Sequence, residues 1–234
     1  MFLIYLRICG CSSMVEQQIS NLYTRVRFPS PAPNVIKAIM THTTNLDKHT
    51  TQNPISKFFL NNFKQLLLEH VKHLKPESIL DVGAGEGFTL EMFRQKHIAK
   101  KLEGIEYMDE ALKLAKKIHP KVKIIKGDIY KLPYKANSFD LIICTEVLEH
   151  LEYPEKALIE LKRVTRKYLI VSVPNEPLFT IQRILRGKNI LKLGAHPEHI
   201  QHWTPTSFEK LIAKHYTVKD AKTPLPWIMI TAQK

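Results

Sequence analysis

Cysteine is scarce in this chain of 234 residues, which carries only Cys9, Cys11 and Cys144. Three cysteines at that spacing fit neither a disulfide framework nor a four-ligand zinc site, and a reducing cytoplasm is the expected compartment. Long apolar runs are missing as well. The longest are strand-sized, such as Leu141 to Cys144, far below the roughly 20 residues a membrane-spanning helix needs, so no transmembrane segment is expected. Met1 to Cys9 is apolar but holds Arg7 and lacks a cationic lead-in and a small-residue cleavage site, and is not read as a signal peptide. No internal repeat or low-complexity tract occurs. Acidic residues are the minority, 22 against 35 Lys and Arg, and the formal charge is +13. That charge favours encounter with anionic partners without specifying a fold. Lysines such as Lys113, Lys116 and Lys117 are spread along helical segments, so a solvated basic face is the leading reading.

What is present organises into one domain preceded by a lead. Residues 1–53 show no sustained helical or strand period, and Pro29-Ser30-Pro31-Ala32-Pro33 interrupts any regular element there, so this stretch is expected to be disordered. Within it, GCSSMVEQ (10–17) and RFPSPAP (27–33) resemble the conceptual translation of a transfer-RNA gene, which makes residues 1–39 a candidate gene-start artefact and Met40 the natural start. Without them the remainder still carries +10. From residue 54 the pattern is regular. Phe58, Phe59, Phe63, Leu66, Leu67, His70, Val71 and Leu74 paint one face of a helix, with Asn53 as cap and Pro54 at its first position. Apolar strands then alternate with helices: strand 78–82, helix 88–97, strand 102–106, helix 109–119, strand 122–125, strand 139–144, helix 154–166 and strand 168–173. Strands apolar nearly throughout imply a parallel sheet covered on both faces, a doubly wound α/β fold. The last part, helix 205–215 and strands 216–220 and 227–232, has a short strand-to-strand link that suits an antiparallel pair.

Open α/β sheets bind ligands beyond the carboxyl ends of their strands, which directs attention to the turn Asp81-Val82-Gly83-Ala84-Gly85-Glu86-Gly87. GAGEGF (83–88) misses the third glycine of the dinucleotide fingerprint. Asp81 precedes the turn, Glu106 ends the second strand and Asp128 follows the third. Three converging carboxylates repel a pyrophosphate but suit a ligand with an ammonium, a sulfonium, ribose hydroxyls and an adenine amino group, which points to S-adenosyl-L-methionine. ILDVGAGEG, GIEYMD, KGDIYKLPYKANSFDLIICTEVLEHL and SVPNEP resemble the successive motifs of class I S-adenosylmethionine-dependent methyltransferases, especially the type 11 and type 23 groups, over residue 53 to the C-terminus. The resemblance implies a seven-stranded sheet with an antiparallel last strand. It also implies that Asp81 and the Gly83, Ala84 and Gly85 backbone hold the methionine moiety, Glu106 the ribose and Tyr107 a face of the adenine. Asp128 with the Ile129 backbone would hold the adenine edge, and Thr145 and Glu146 would border the reacting methyl.

Downstream, Glu146-Val147-Leu148-Glu149-His150 at a helix start puts two carboxylates and an imidazole on one face. The string resembles the metal motif of small-RNA 2′-O-methyltransferases and ubiquinone-pathway O-methyltransferases, with His196, His199 or His202 as the completing ligand of a divalent-metal site. A capping or packing role for Glu149 and His150 is preferred to that site, and His150 and Glu146 are the candidate catalytic groups, His150 as a metal-free base. Residues 175–203 are too long for a simple connection and are expected to form a substrate-side insertion. Its mixed basic and apolar composition keeps RNA and anionic lipid as alternative partners, while a small-molecule acceptor, methylated at oxygen, is favoured because no RNA-binding module accompanies it. A nicotinamide-dependent oxidoreductase and a catalytically silent binding module are the competing functions, and nothing in the pattern specifies an oligomeric state.

Overall fold

A computed structural model describes residues 44–176 and 200–234. The expectations for residues 1–43, for 177–199 of the substrate-side insertion, and for His196 and His199 lie outside the described residues.

The first described element corrects the expected disordered lead, for Thr44–Thr50 forms a helix, α1. Its sequence TNLDKHT has no apolar face, and tertiary contacts described below hold it. Helix α2, Pro54–Leu74, begins where the cap signal places it: the Asn53 side-chain oxygen accepts from the Ile55 and Ser56 N–H groups, both at 3.0 Å. It buries Leu60, Phe63, Leu67, Leu68 and Val71. There follow β1 (Ser78–Val82), α3 (Phe88–Gln95), β2 (Lys101–Glu106), α4 (Asp109–Ile118), β3 (Lys123–Lys126) and β4 (Phe139–Thr145). A short 3₁₀ turn, Leu148–His150, leads to α5 (Pro154–Val164), β5 (Thr165–Pro174), α6 (Pro205–Ala213), β6 (Thr217–Lys222) and β7 (Trp227–Gln233).

The seven strands form one sheet in the order β3-β2-β1-β4-β5-β7-β6. All pairs are parallel except those of β7, which runs antiparallel to both β5 and β6. The short link from 223 to 226 can return the chain only into an adjacent antiparallel strand, as its length implied. One difference concerns the end of α5, expected to run to Arg166. The helix stops at Val164 because Thr165 takes extended geometry and pairs with Phe139 at the start of β5, where a buried β-branched residue packs well.

The pleat divides the strands between two cores. On one face Ile79, Leu141, Ile143, Ile170 and Met229 pack under α2 and Phe93 of α3. On the other, Leu80, Ile142, Leu169, Val171 and Ile230 pack against α5 and α6. Each fully buried aliphatic side chain contributes about 1.5–3 kcal/mol of transfer free energy. At the amino end of β1, the buried Asp140 carboxylate accepts from the Ser78 N–H at 3.2 Å and the Ser78 hydroxyl at 3.1 Å, and pairs with Arg166 at 3.1 Å. It therefore ties β1, β4 and β5 together at the end opposite the glycine turn.

Candidate cofactor and acceptor site

Strand order reverses between β1 and β4, and the groups singled out by sequence gather at the carboxyl ends of the strands flanking that point. The turn after β1 needs glycine. Gly83 sits at φ +81°, where L side chains are strained, and a Cβ there would stand 2.2 Å from Val147 Cγ2. The N–H groups of Gly83 and Ala84 both donate to the Ile105 carbonyl, at 2.8 and 3.0 Å, which fastens the turn to β2. Gly85, also at positive φ, donates its N–H to Glu106 Oε2 at 2.8 Å, while Met108 N–H donates to Glu106 Oε1 at 2.7 Å. Both Glu106 oxygens are thus oriented by backbone before any ligand arrives.

Asp81 is 2% exposed and its Oδ1 has no hydrogen-bond partner. Burial, with the Glu106 charge second, pushes its carboxyl from an ordinary 3.8 up to about 7. A buried carboxylate with an idle oxygen is costly unless a cation or donor completes it. An α-ammonium group does so, and the neighbouring glycine turn leaves the backbone open to close approach. On this ground the residues fit S-adenosylmethionine. Tyr107 stands next to Glu106 and is 69% exposed, while Ile129 is buried. Asp128 is exposed, and its Oδ1 accepts from the Tyr130 N–H at 2.9 Å. The acids at the tips of β1 and β2 are therefore brought together as expected, and Asp128 follows β3 on the same edge.

The segment after β4 departs from expectation. Glu146 to His150 does not open an α-helix. Glu146 adopts a left-handed φ of +57°, its N–H donating to the Ser172 carbonyl at 2.9 Å, and only Leu148–His150 make a 3₁₀ turn. Because β4 and β5 still hold one another at Thr145 and Ser172, the chain leaves the sheet by a sharp bend, and the three groups do not share a helix face. Thr145 ends β4 and is half-buried. Glu149 is 1% exposed and neither carboxylate oxygen has a hydrogen-bond partner. Burial, with the Glu146 charge second, raises its carboxyl well above the ordinary 4.5 and disfavours its charged form. His150 is exposed instead. Among the described residues no group of three or more His, Cys, Asp or Glu is arranged to hold a metal ion. His202, the described member of the histidine string, lies 3.7 Å from Glu176.

Groups that sequence reasoning missed come from α1 and α2 and from the antiparallel strand. Lys48 of α1 pairs with Glu146 and lies 4.7 Å from the Trp227 ring centroid. His49 stacks on Phe88, the first residue of α3, at 4.0 Å with the planes 9° apart. Burial, aided by Lys64, Lys48 and His119, lowers the His49 imidazole to about 3, so it is neutral at pH 7. α1 thereby covers the start of α3 beside the glycine turn. No local signal marks Lys48 or His49, since a seven-residue polar helix has neither period nor apolar stripe. A surface depression lined by Pro76, Glu77, Arg94 and Lys100 lies at the opposite end of β1 and holds none of these groups.

The sheet order places an antiparallel β7 between β5 and β6, and the strand-tip acid pair stands beside a glycine turn that lacks the pyrophosphate-binding fingerprint. Residues 80–171 match the family model described as "Methyltransferase domain". Over those residues the chain is similar to S-adenosylmethionine-dependent methyltransferases. Ajmaline N-methyltransferase of Rauvolfia serpentina is 35% identical over 142 residues, 55% of this chain and 47% of that protein. The mitochondrial ubiquinone biosynthesis O-methyltransferase of Saccharomyces cerevisiae is 31% identical over 134 residues, 53% of this chain and 43% of that one. A crystal structure of a SAM-dependent methyltransferase from Aquifex aeolicus superposes with a TM-score of 0.62, at 20% identity, over 82% of this chain and 99% of that one. That likeness is one of fold. The chain spans about half the length, or less, of the curated relatives it matches.

Proposed function

We propose that the protein transfers the methyl group of S-adenosylmethionine to a small-molecule acceptor, at oxygen, across the carboxyl edge of its sheet. The observation that carries this reading is the buried Asp81 carboxylate, whose idle Oδ1 stands beside a positive-φ glycine turn and a backbone-oriented Glu106. When bound, the cofactor supplies an electrophilic methyl on a sulfonium and departs as the thioether, taking the electrons of the broken carbon–sulfur bond. In this reading Asp81 holds the ammonium, Glu106 the ribose hydroxyls, Tyr107 an adenine face, and Asp128 with the Ile129 N–H the adenine edge. The protein's main contribution is placement and exclusion of water, because displacement at a methyl needs an in-line nucleophile more than a strong base. An acceptor hydroxyl loses its proton as the new carbon–oxygen bond forms. Glu146, half-buried after the strand-end Thr145, takes that proton, or passes it toward the exposed His150.

Relatives that act at nitrogen and at oxygen make the acceptor atom the discriminating measurement. Purified protein incubated with methyl-labelled cofactor and fractionated cell extract is expected to label a small molecule at an alkali-stable methyl ether. A labelled amine moves the acceptor atom to nitrogen, and labelled RNA or lipid overturns the small-molecule reading. Binding of S-adenosylhomocysteine with no transfer into any fraction makes the chain a silent binding module. No binding removes the methyltransferase reading itself.

A further inference from the structure

The acceptor side of the site has a charge and donor pattern that the methyl-transfer reading does not use. Lys48 and Lys64 lie on the face of the sheet that α2 covers, close enough that Lys48 helps hold the Lys64 ammonium below its ordinary pKa, after burial. Glu146, the carboxylate ion-paired with Lys48, is committed to it. Among the described residues Lys64, half-buried, has no salt-bridge partner. A half-buried ammonium without a counter-ion is unfavourable, and an incoming anion relieves it.

Three polar atoms on the same side wait for partners. Trp227 is 6% exposed with its Nε1 N–H unbonded, Ser172 is fully buried with Oγ unbonded, and His49 Nδ1 is buried and unbonded. The strand register brings Ser172 and Trp227 into one neighbourhood: Ser172 stands beside Thr145, and Pro174, two residues along β5, pairs with Trp227, while His49 follows Lys48, which lies over the Trp227 ring. The Trp227 ring packs on Phe63 at 5.1 Å, and Phe63 immediately precedes Lys64 in α2. An indole N–H can only donate and an ammonium can only donate. Asp81 is reserved for the cofactor ammonium, and burial disfavours the charged form of Glu149, so neither is suited to supply the missing negative charge.

Resting on the methyltransferase reading above, we infer that the acceptor is a small anion, seated by a carboxylate or phosphate between Lys64 and Lys48 with the Trp227 indole N–H as its further donor. Lys48 is already neutralised by Glu146, so Lys64 contributes the larger share of the recognition.

The test uses the full chain saturated with S-adenosylhomocysteine and three probes of similar shape: benzoate, phenyl phosphate and neutral benzamide, titrated by saturation-transfer NMR. At least one of the two anions is expected to bind fivefold or more tightly than benzamide, and which one does identifies the headgroup. Lys64→Gln should abolish that preference, Lys64→Arg should restore most of it, and Lys116→Gln, an exposed lysine on α4, should leave it intact. Calorimetry with S-adenosylhomocysteine on each variant shows whether the domain is folded, and its Kd should stay within twofold of the parent. Equal binding of the three probes, or a preference that survives Lys64→Gln, overturns the inference while leaving the methyltransferase reading in place. If S-adenosylhomocysteine gives no heat with the parent chain, the methyltransferase reading fails and this inference falls with it.

Discussion

Asp81 and Gly83 show how single residues set the terms of the site. With its carboxyl held up at about 7, Asp81 is partly protonated in the ligand-free protein at neutral pH, yet an ammonium partner needs the ionised form. Cofactor affinity should therefore fall as pH drops below 7, by up to about tenfold per pH unit. Calorimetric titrations with S-adenosylhomocysteine between pH 5.5 and 8.5 measure this, and a flat profile contradicts it. The sign for stability is the reverse. A raised folded pKa stabilises the ligand-free fold below the ordinary 3.8, and that contribution, on the order of 4 kcal/mol at most, is lost as pH rises through about 7. Asp81→Asn should weaken cofactor binding at pH 8 by about 1.5–3 kcal/mol, the worth of a charged hydrogen bond, while making urea stability of the ligand-free chain less dependent on pH. At Gly83 the positive φ and the approach of Val147 act together. Gly83→Ala should cost about 2 kcal/mol or more in urea unfolding, and adding Val147→Ala should return the steric part but not the backbone part. Full additivity of the two single changes would show that the side-chain overlap is relieved elsewhere.

At the scale of elements, termini and pairings distinguish what local chemistry fixes from what packing fixes. The start of α2 is local: Asn53→Ala removes two cap bonds and should cost about 1 kcal/mol, read as a lower thermal midpoint with no change in cofactor Kd. The β1–β4–β5 tie is not local. Asp140 is 3% exposed, and although burial raises its carboxyl, the Ser78 hydrogen bond with Lys167 and Arg166 outweighs this and leaves it below the ordinary range. Its contribution is present above that ordinary value and is lost as pH falls through the lower folded one. Asp140→Ala should cost about 2–4 kcal/mol at pH 7, because the Ser78 N–H and hydroxyl lose their acceptor in a buried place. The loss relative to parent should shrink in acid, and a loss constant between pH 7 and pH 3 would sink the electrostatic account. Alternation of apolar strands with periodic helices was enough to place β1 to β5 within a residue or three, since both patterns are written in the order of side chains. α1 was not legible, nor was the bend at Glu146. One is a polar helix held by Glu146 and Phe88 from far along the chain, and the other is a strained φ imposed by the β4–β5 pairing.

For the whole molecule, the domain with no ligand bound holds uncompensated polar groups at one edge of its sheet, so cofactor and stability should be linked. Ligand at about 100 times its Kd should add about 2.7 kcal/mol, a rise of several degrees in the thermal midpoint. No described helix is long and apolar enough to cross a membrane. By itself the sequence determined the doubly wound class, the glycine turn, and the acids that end β1 and β2, because each follows from residue type and spacing along a strand–turn–helix unit. Only the tertiary structure decided that Asp81 would be sealed from water, that Glu149 would be buried and His150 exposed, and that Lys48 would pair with Glu146 and lie over the Trp227 ring. Burial and long-range charge pairing arise from the surroundings of a residue, and strands distant in sequence supply those surroundings.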